Sequence, residues 1–222
     1  MRVFIFIFLG IFSFFLSSQS ICFGQNEHHA KSIINDSIVH REMDYFTIAG
    51  ASGNKDYSDM GIILKEIPLT YSGDSVVGLE KADWYSTHWA FYISFKPFDI
   101  LNHSITYGKD SIILAIDDHS CYGISNRLPK RQVSRIDFFH EKYRVRIPEN
   151  AFDGIYEVPI YYCKTKKDRK KPQHYFKAYL SNDNRRKYLY MLNGEGKDRY
   201  EVTWVMNGYD YYGRFINKAP EK

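Results

Sequence analysis

Cysteine is scarce in this chain of 222 residues: there are three, Cys22, Cys121 and Cys163, and no two form a Cys-x-x-Cys pair. Common structural zinc sites need paired Cys or His ligands a few residues apart, so a metal site built on Cys121 and His119 has no such pair to draw on. Proline and glycine are also sparse, at 7 and 14 copies, which excludes collagen-like and low-complexity architectures. The chain has no Gly-x-Ser-x-Gly elbow, no His-Glu-x-x-His and no Gly-rich phosphate loop, so the locally encoded chemistries are excluded and no cofactor is implied. No apolar run reaches the roughly 20 residues that a membrane-spanning helix requires.

The longest apolar run, Val3 to Leu16, is broken only by Gly10 and Ser13, follows Arg2 and ends at the polar Ser17-Ser18-Gln19-Ser20. That length fits the hydrophobic region of a secretory signal. Cys22 and Gly24 supply the small residues a signal peptidase reads, so residues 1–24 are expected to be removed and the mature chain to begin at Gln25. Lipidation of Cys22 competes with this reading, but Ile21 is large and Gln19 polar where a lipobox has small and aliphatic residues. The segment Cys22-Phe23-Gly24-Gln25 resembles export signals of the Bacteroidetes. Asp36-Ser37-Ile38, Asp74-Ser75-Val76 and Asp110-Ser111-Ile112 resemble the sites those bacteria glycosylate, although each also reads as a turn followed by a strand. The expected location is the periplasm, the cell surface or the medium, with no transmembrane segment after cleavage. In such an oxidising compartment Cys121 and Cys163 are expected to form a disulfide, contributing about 3–4 kcal/mol by the chain-entropy argument.

Aromatic residues are abundant: 19 Tyr, 16 Phe and 3 Trp. Broad and β-branched side chains favour pleated sheet, and a period of two recurs from Tyr45 onward. The expected fold is all-β: an antiparallel β-sandwich, an immunoglobulin-like or jelly-roll-like Greek key, with a C-terminal β-meander. Strands are expected at Tyr45–Ala49, Gly61–Glu66, His88–Phe95, Ser111–Asp117, Arg135–Phe139, Tyr143–Ile147, Ile155–Tyr162, Tyr175–Leu180, Lys187–Leu192, Arg199–Met206 and Tyr209–Ile216. One helical turn is expected, at Leu79–Tyr85. Asn207-Gly208 marks a hairpin, because both residue types tolerate positive φ, and Asn193-Gly194-Glu195-Gly196 marks the turn before it. Asp153, Gly154 and Tyr156 resemble the tyrosine corner of immunoglobulin-like sandwiches, with Val158 where that family places a cysteine. The resemblance covers about fifteen residues and implies a Greek-key sandwich. Residues 25–222 are expected to form one β-sandwich domain, and the polar stretch at 125–135 is the one candidate for a subdivision.

Two stretches carry candidate binding residues. Asp83 to Tyr92 is the densest aromatic stretch, and alternation places His88, Ala90 and Tyr92 on one face and Trp89, Phe91 and Ile93 on the other. Trp89 and Phe91 are therefore assigned to the core, and Trp84, Tyr85 and Tyr92 to a binding surface. From Lys164 to Lys187 there are ten Lys or Arg against two Asp. The tip of that segment, Lys166, Lys167, Arg169, Lys170 and Lys171, is expected to be a basic hairpin suited to an acidic partner, or a solvated loop. Asp117, Asp118 and His119 end an apolar strand and are the candidates for acid–base chemistry. The expected function is that of an exported, non-catalytic interaction protein that binds an envelope protein or glycan. The alternative is a hydrolase of envelope polymers with its site at Asp117–His119; nucleic acid is not an expected partner.

Overall fold

The computed structural model describes residues 36–48, 64–72, 75–80, 89–124, 127–140, 143–145, 147–156, 175–194 and 196–219. The expected signal peptide, Trp84, Tyr85, Cys163 and the basic tip from Lys166 to Lys171 lie outside them. In chain order the elements are α1 (Asp36–Phe46), β1 (Leu64–Ile67), β2 (Leu69–Ser72), β3 (Ser75–Glu80), β4 (Trp89–Pro97), β5 (Ile105–Tyr107) and β6 (Ile113–Ile116). They continue with β7 (His119–Ser120), β8 (Arg131–His140), β9 (Tyr143–Val145), β10 (Tyr175–Ser181), β11 (Arg186–Asn193), β12 (Tyr200–Asn207) and β13 (Asp210–Lys218). All pairings within the sheets are antiparallel, in the orders β1-β10-β11-β12-β13, β2-β3-β4-β8-β9 and β5-β6-β7.

The two five-stranded sheets face each other as a sandwich, because alternate side chains of each are apolar. Along β4, Trp89, Phe91, Ile93 and Phe95 are buried while Tyr92 and Lys96 are exposed. Phe138 of β8 stacks on Phe91 at 5.5 Å within one sheet, and Phe95 meets Phe176 of the other at 5.8 Å. Leu189, Met191, Val202, Trp204 and Met206 complete the same core from the second sheet. Pro68 separates β1 from β2, and since it cannot donate to a ladder, the chain leaves one sheet there and joins the other. β8 carries an extra residue, Ser134, between the pairs Ser94↔Arg135 and Phe95↔Val133, which lets Val133 and Ile136 both face inward.

The sheet containing β11 and β12 is buried on both faces, and the reason is a helix. Val39 and Met43 of α1 pack with Tyr179, Tyr188 and Val205, and Phe46 stacks on Tyr179 at 4.5 Å. This corrects the expected strand at Tyr45–Ala49, whose first two residues end the helix. Val39, Met43 and Phe46 do have helical spacing, but Glu42 sits on the same buried stripe and interrupts its apolar pattern. The expected helical turn at Leu79–Tyr85 is likewise corrected at its start, since Leu79 and Glu80 belong to β3 and pair with Ala90 and Trp89. The hairpin signalled by Asn207-Gly208 is present one residue later: Asn207 pairs with Asp210, and Gly208, at φ 57°, is the first central residue. A positive φ there alone is the type II′ arrangement, which suits glycine. Of the three Asp-Ser-aliphatic triplets, Ser75 opens β3 and Asp110-Ser111 turns the chain ahead of β6, whereas Asp36-Ser37 opens α1.

Candidate functional site

The sandwich has two ends. At one, β4 begins at Trp89 and pairs with the end of β8 at His140, next to the β12–β13 turn. Here side chains from both sheets stack into a column. Lys187, only 1% exposed, donates from Nζ to the Asn184 and Arg185 carbonyl oxygens at 2.6 and 3.0 Å and lies 3.3 Å from the centre of the Trp89 ring. The imidazole of His140 stacks on Trp89 at 4.0 Å and 12°, necessarily on the opposite face. Tyr209 follows at 4.3 Å from His140, and Tyr143 meets Tyr209 edge-on at 6.1 Å and 89°. The column is buried at its base and open at its top, where Tyr143 is 56% and Tyr209 54% exposed. A cation on an aromatic face and successive ring contacts each stabilise the arrangement by about 0.5–2 kcal/mol. The two outer rings are thus held in place before anything binds.

Trp89 is in the core, as expected from alternation, and Tyr92 is 39% exposed on the outer face of its sheet, in edge contact with Phe139. Trp84 and Tyr85 lie outside the described residues, although the strands on either side of them pair Glu80 with Trp89 at this same end. The basic segment is bounded by Tyr156 and Tyr175 at the opposite end: Tyr175 pairs with Leu192, and the Tyr156 carbonyl accepts from Asn193 Nδ2 at 2.8 Å and Tyr200 Oη at 3.1 Å. Tyr156 itself is buried, and burial pushes its phenol well above the usual tyrosine range. Sequence reasoning missed Tyr143 and Tyr209, which are 66 positions apart in a chain with 19 tyrosines. The turn signal at Gly208 marked where Tyr209 is displayed, but nothing local reveals its neighbour.

The second end carries the small sheet and the three acid–base candidates. Asp117 and Asp118, at φ 52° and 63°, are the two central residues of the hairpin between Ile116 and His119, the type I′ turn that Asp accepts readily. The Asp117 carboxylate receives Nδ1 of His103 at 2.5 Å and the Ser104 N–H at 2.8 Å, while Nε2 of His103 faces the Gln132 amide nitrogen at 3.2 Å. That network corresponds to an Nδ1–H tautomer in which both ring nitrogens are engaged and neither is open to a substrate proton. His119 takes a different partner, Asp153, at 3.5 Å. The Cys121 thiol is free in this structure, and burial pushes it up to about 11, so it is not a thiolate at neutral pH. Its expected disulfide partner, Cys163, lies outside the described residues. Among the described residues no group of three or more His, Cys, Asp or Glu is placed to hold a metal ion, and no helix is long and apolar enough to cross a membrane.

Partial desolvation pushes the Asp117 carboxyl up, but the hydrogen bonds from His103 and Ser104 outweigh it and hold the group below its ordinary 3.8. A depressed folded-state value means the contribution is complete above the unfolded value and is lost as pH falls through the folded one. Acidification from about pH 5 to about pH 2 is therefore expected to loosen the β5–β6 hairpin, seen as a lower protection factor of the Ser104 amide once its intrinsic pH dependence is divided out. Asp117→Asn should show the same protection factor at both pH values, and an unchanged pH response in that variant would contradict the assignment.

No family model matches the chain, and neither a curated protein nor a solved structure matches it.

Proposed function

We propose that this chain is an exported, non-catalytic β-sandwich protein that binds a glycan of the cell envelope through Tyr143 and Tyr209. The observation that carries the reading is the column described above: two exposed tyrosines from different sheets, at right angles to each other, with Tyr209 tilted at 31° against the buried His140 ring. Tyrosine offers a large apolar face with a hydroxyl at its edge and few rotatable bonds, so little entropy is lost when a pre-stacked ring engages a ligand. A sugar ring matches that chemistry, with C–H groups for the ring face and hydroxyls for the phenol. Export rests on the apolar run from Val3 to Leu16 and the small residues Cys22 and Gly24.

The hydrolase reading is weaker because the ring nitrogens of His103 are both occupied and Asp117 and Asp118 are accounted for by the turn they make. The two readings separate in one assay: incubate residues 25–222 with soluble oligosaccharides, including peptidoglycan fragments, and follow binding and reducing-end release together. Saturable binding with the glycan left intact is the expected result. Cleavage that disappears in Asp118→Ala or His119→Ala would establish the hydrolase instead, and absence of binding to every glycan would remove the present reading.

A further inference from the structure

A cleft of about 1080 Å³ lies on a different part of the molecule, where β9 leaves the side of β8 and the chain turns at 147–152. One wall is apolar, formed by the partly buried Ile147, Pro148 and Phe152, while Arg135 and Arg144 stand on the other. Both arginines are held by one carboxylate. Asp137, its side chain only 8% exposed, lies between them, with Oδ2 2.5 Å from Arg135 Nε and Oδ1 2.5 Å from Arg144 Nη2, the second an ion pair without hydrogen-bond geometry. One buried negative charge thus pairs with two guanidiniums that are each more than half exposed, leaving these three groups with an excess of one positive charge and several N–H donors turned to solvent. Because the side chains are already ordered, a second anion binds them at reduced entropic cost.

We propose that this cleft is a binding site for an amphipathic carboxylate, a single acyl chain resting on Ile147, Pro148 and Phe152 with its head group at Arg135 and Arg144. An apolar wall opposite a preordered arginine pair matches both halves of such a ligand, whereas a neutral sugar satisfies neither. Glu149 also lines the cleft and is the one exposed acid there, so it sets a limit on affinity by repelling the head group.

The test is a titration of residues 25–222 with dodecanoate below its micelle concentration, with dodecanol as the uncharged control, followed by amide chemical shifts. Dodecanoate should perturb Ser134–Ile136 and Ile147–Phe152 and bind at least about tenfold more tightly than dodecanol. Arg144→Gln should remove that preference, and Glu149→Gln should strengthen dodecanoate binding. A parallel arm with anionic phospholipid vesicles separates free acyl carboxylates from membrane head groups: perturbation of the same amides only by vesicles assigns the site to the membrane surface and overturns the free-ligand form. Equal binding of dodecanoate and dodecanol, retention of the preference in Arg144→Gln, or shifts confined to other residues would each overturn the proposal. Circular dichroism of Arg144→Gln confirms that the fold is intact when the binding result is read.

Discussion

Glu42→Ala is expected to lower the unfolding free energy by about 3–5 kcal/mol, the scale for removing one partner of a buried ion pair. Glu42 lies on the buried stripe of α1 and accepts Nε and Nη2 of Arg186 at 2.7 and 2.9 Å, and it also takes the hydroxyl of Tyr188. These contacts join the helix to β11 across 144 residues of sequence. The guanidinium of Arg186 is held above its ordinary range chiefly by the Glu42 hydrogen bond, and the Tyr188 phenol is pushed up chiefly by burial. Alanine leaves the Tyr188 hydroxyl and Arg186 Nε and Nη2 without their acceptor in a poorly solvated site, with Asp183, 3.2 Å from Arg186 Nη1, as the remaining carboxylate. Since small domains are stable by only about 5–15 kcal/mol, the variant should unfold at a much lower urea midpoint. Glu42→Gln, which keeps an acceptor but no charge, should fall between the two. A loss below about 1 kcal/mol in the alanine variant would mean that α1 does not hold this position in solution.

Trp204→Ala is expected to cost about 3–5 kcal/mol, through both lost packing and a cavity. Trp204 is fully buried between the two large sheets, and its Nε1–H donates to the Ala151 carbonyl at 2.6 Å. The hydrogen bond fastens the 149–152 turn over the edge of the sandwich, where Arg214 adds a second tie to the Asp153 carbonyl at 2.6 Å. Trp204→Phe should retain most of the packing and isolate the hydrogen bond, at about 1–3 kcal/mol including the buried carbonyl left without it. Thermal denaturation of both variants measures the difference. A negligible loss in Trp204→Phe would show that packing alone accounts for the effect, whereas equal losses in the two variants would assign it to the hydrogen bond.

The β-sandwich was legible where one face of a strand is solvated. β4 alternates cleanly, so Trp89 and Phe91 could be assigned inward and Tyr92 outward from the sequence alone. Helix α1 was not legible, because Glu42 interrupts the apolar stripe of a helix of only eleven residues, and its compensation by Arg186 is invisible without the fold. The aromatic surface was half legible. Density of Trp and Tyr pointed to residues 83–92, and β4 begins at the end of the sandwich where Tyr143 and Tyr209 are exposed, but those two rings come from β9 and the β12–β13 turn. Asp117, singled out in the sequence for acid–base chemistry, makes a turn and a contact with His103, fourteen positions earlier, which no local spacing marks.

The most direct test of the central claim is a calorimetric titration of residues 25–222 and of the Tyr143→Ala/Tyr209→Ala double variant with the oligosaccharide that binds the wild type most tightly. Both rings are more than half exposed, so the fold should survive their removal with little change in its unfolding midpoint. The account predicts that affinity falls by at least about tenfold in the double variant, in line with about 1 kcal/mol or more for each lost aromatic contact. Wild-type affinity in the double variant, with an intact fold, would contradict it.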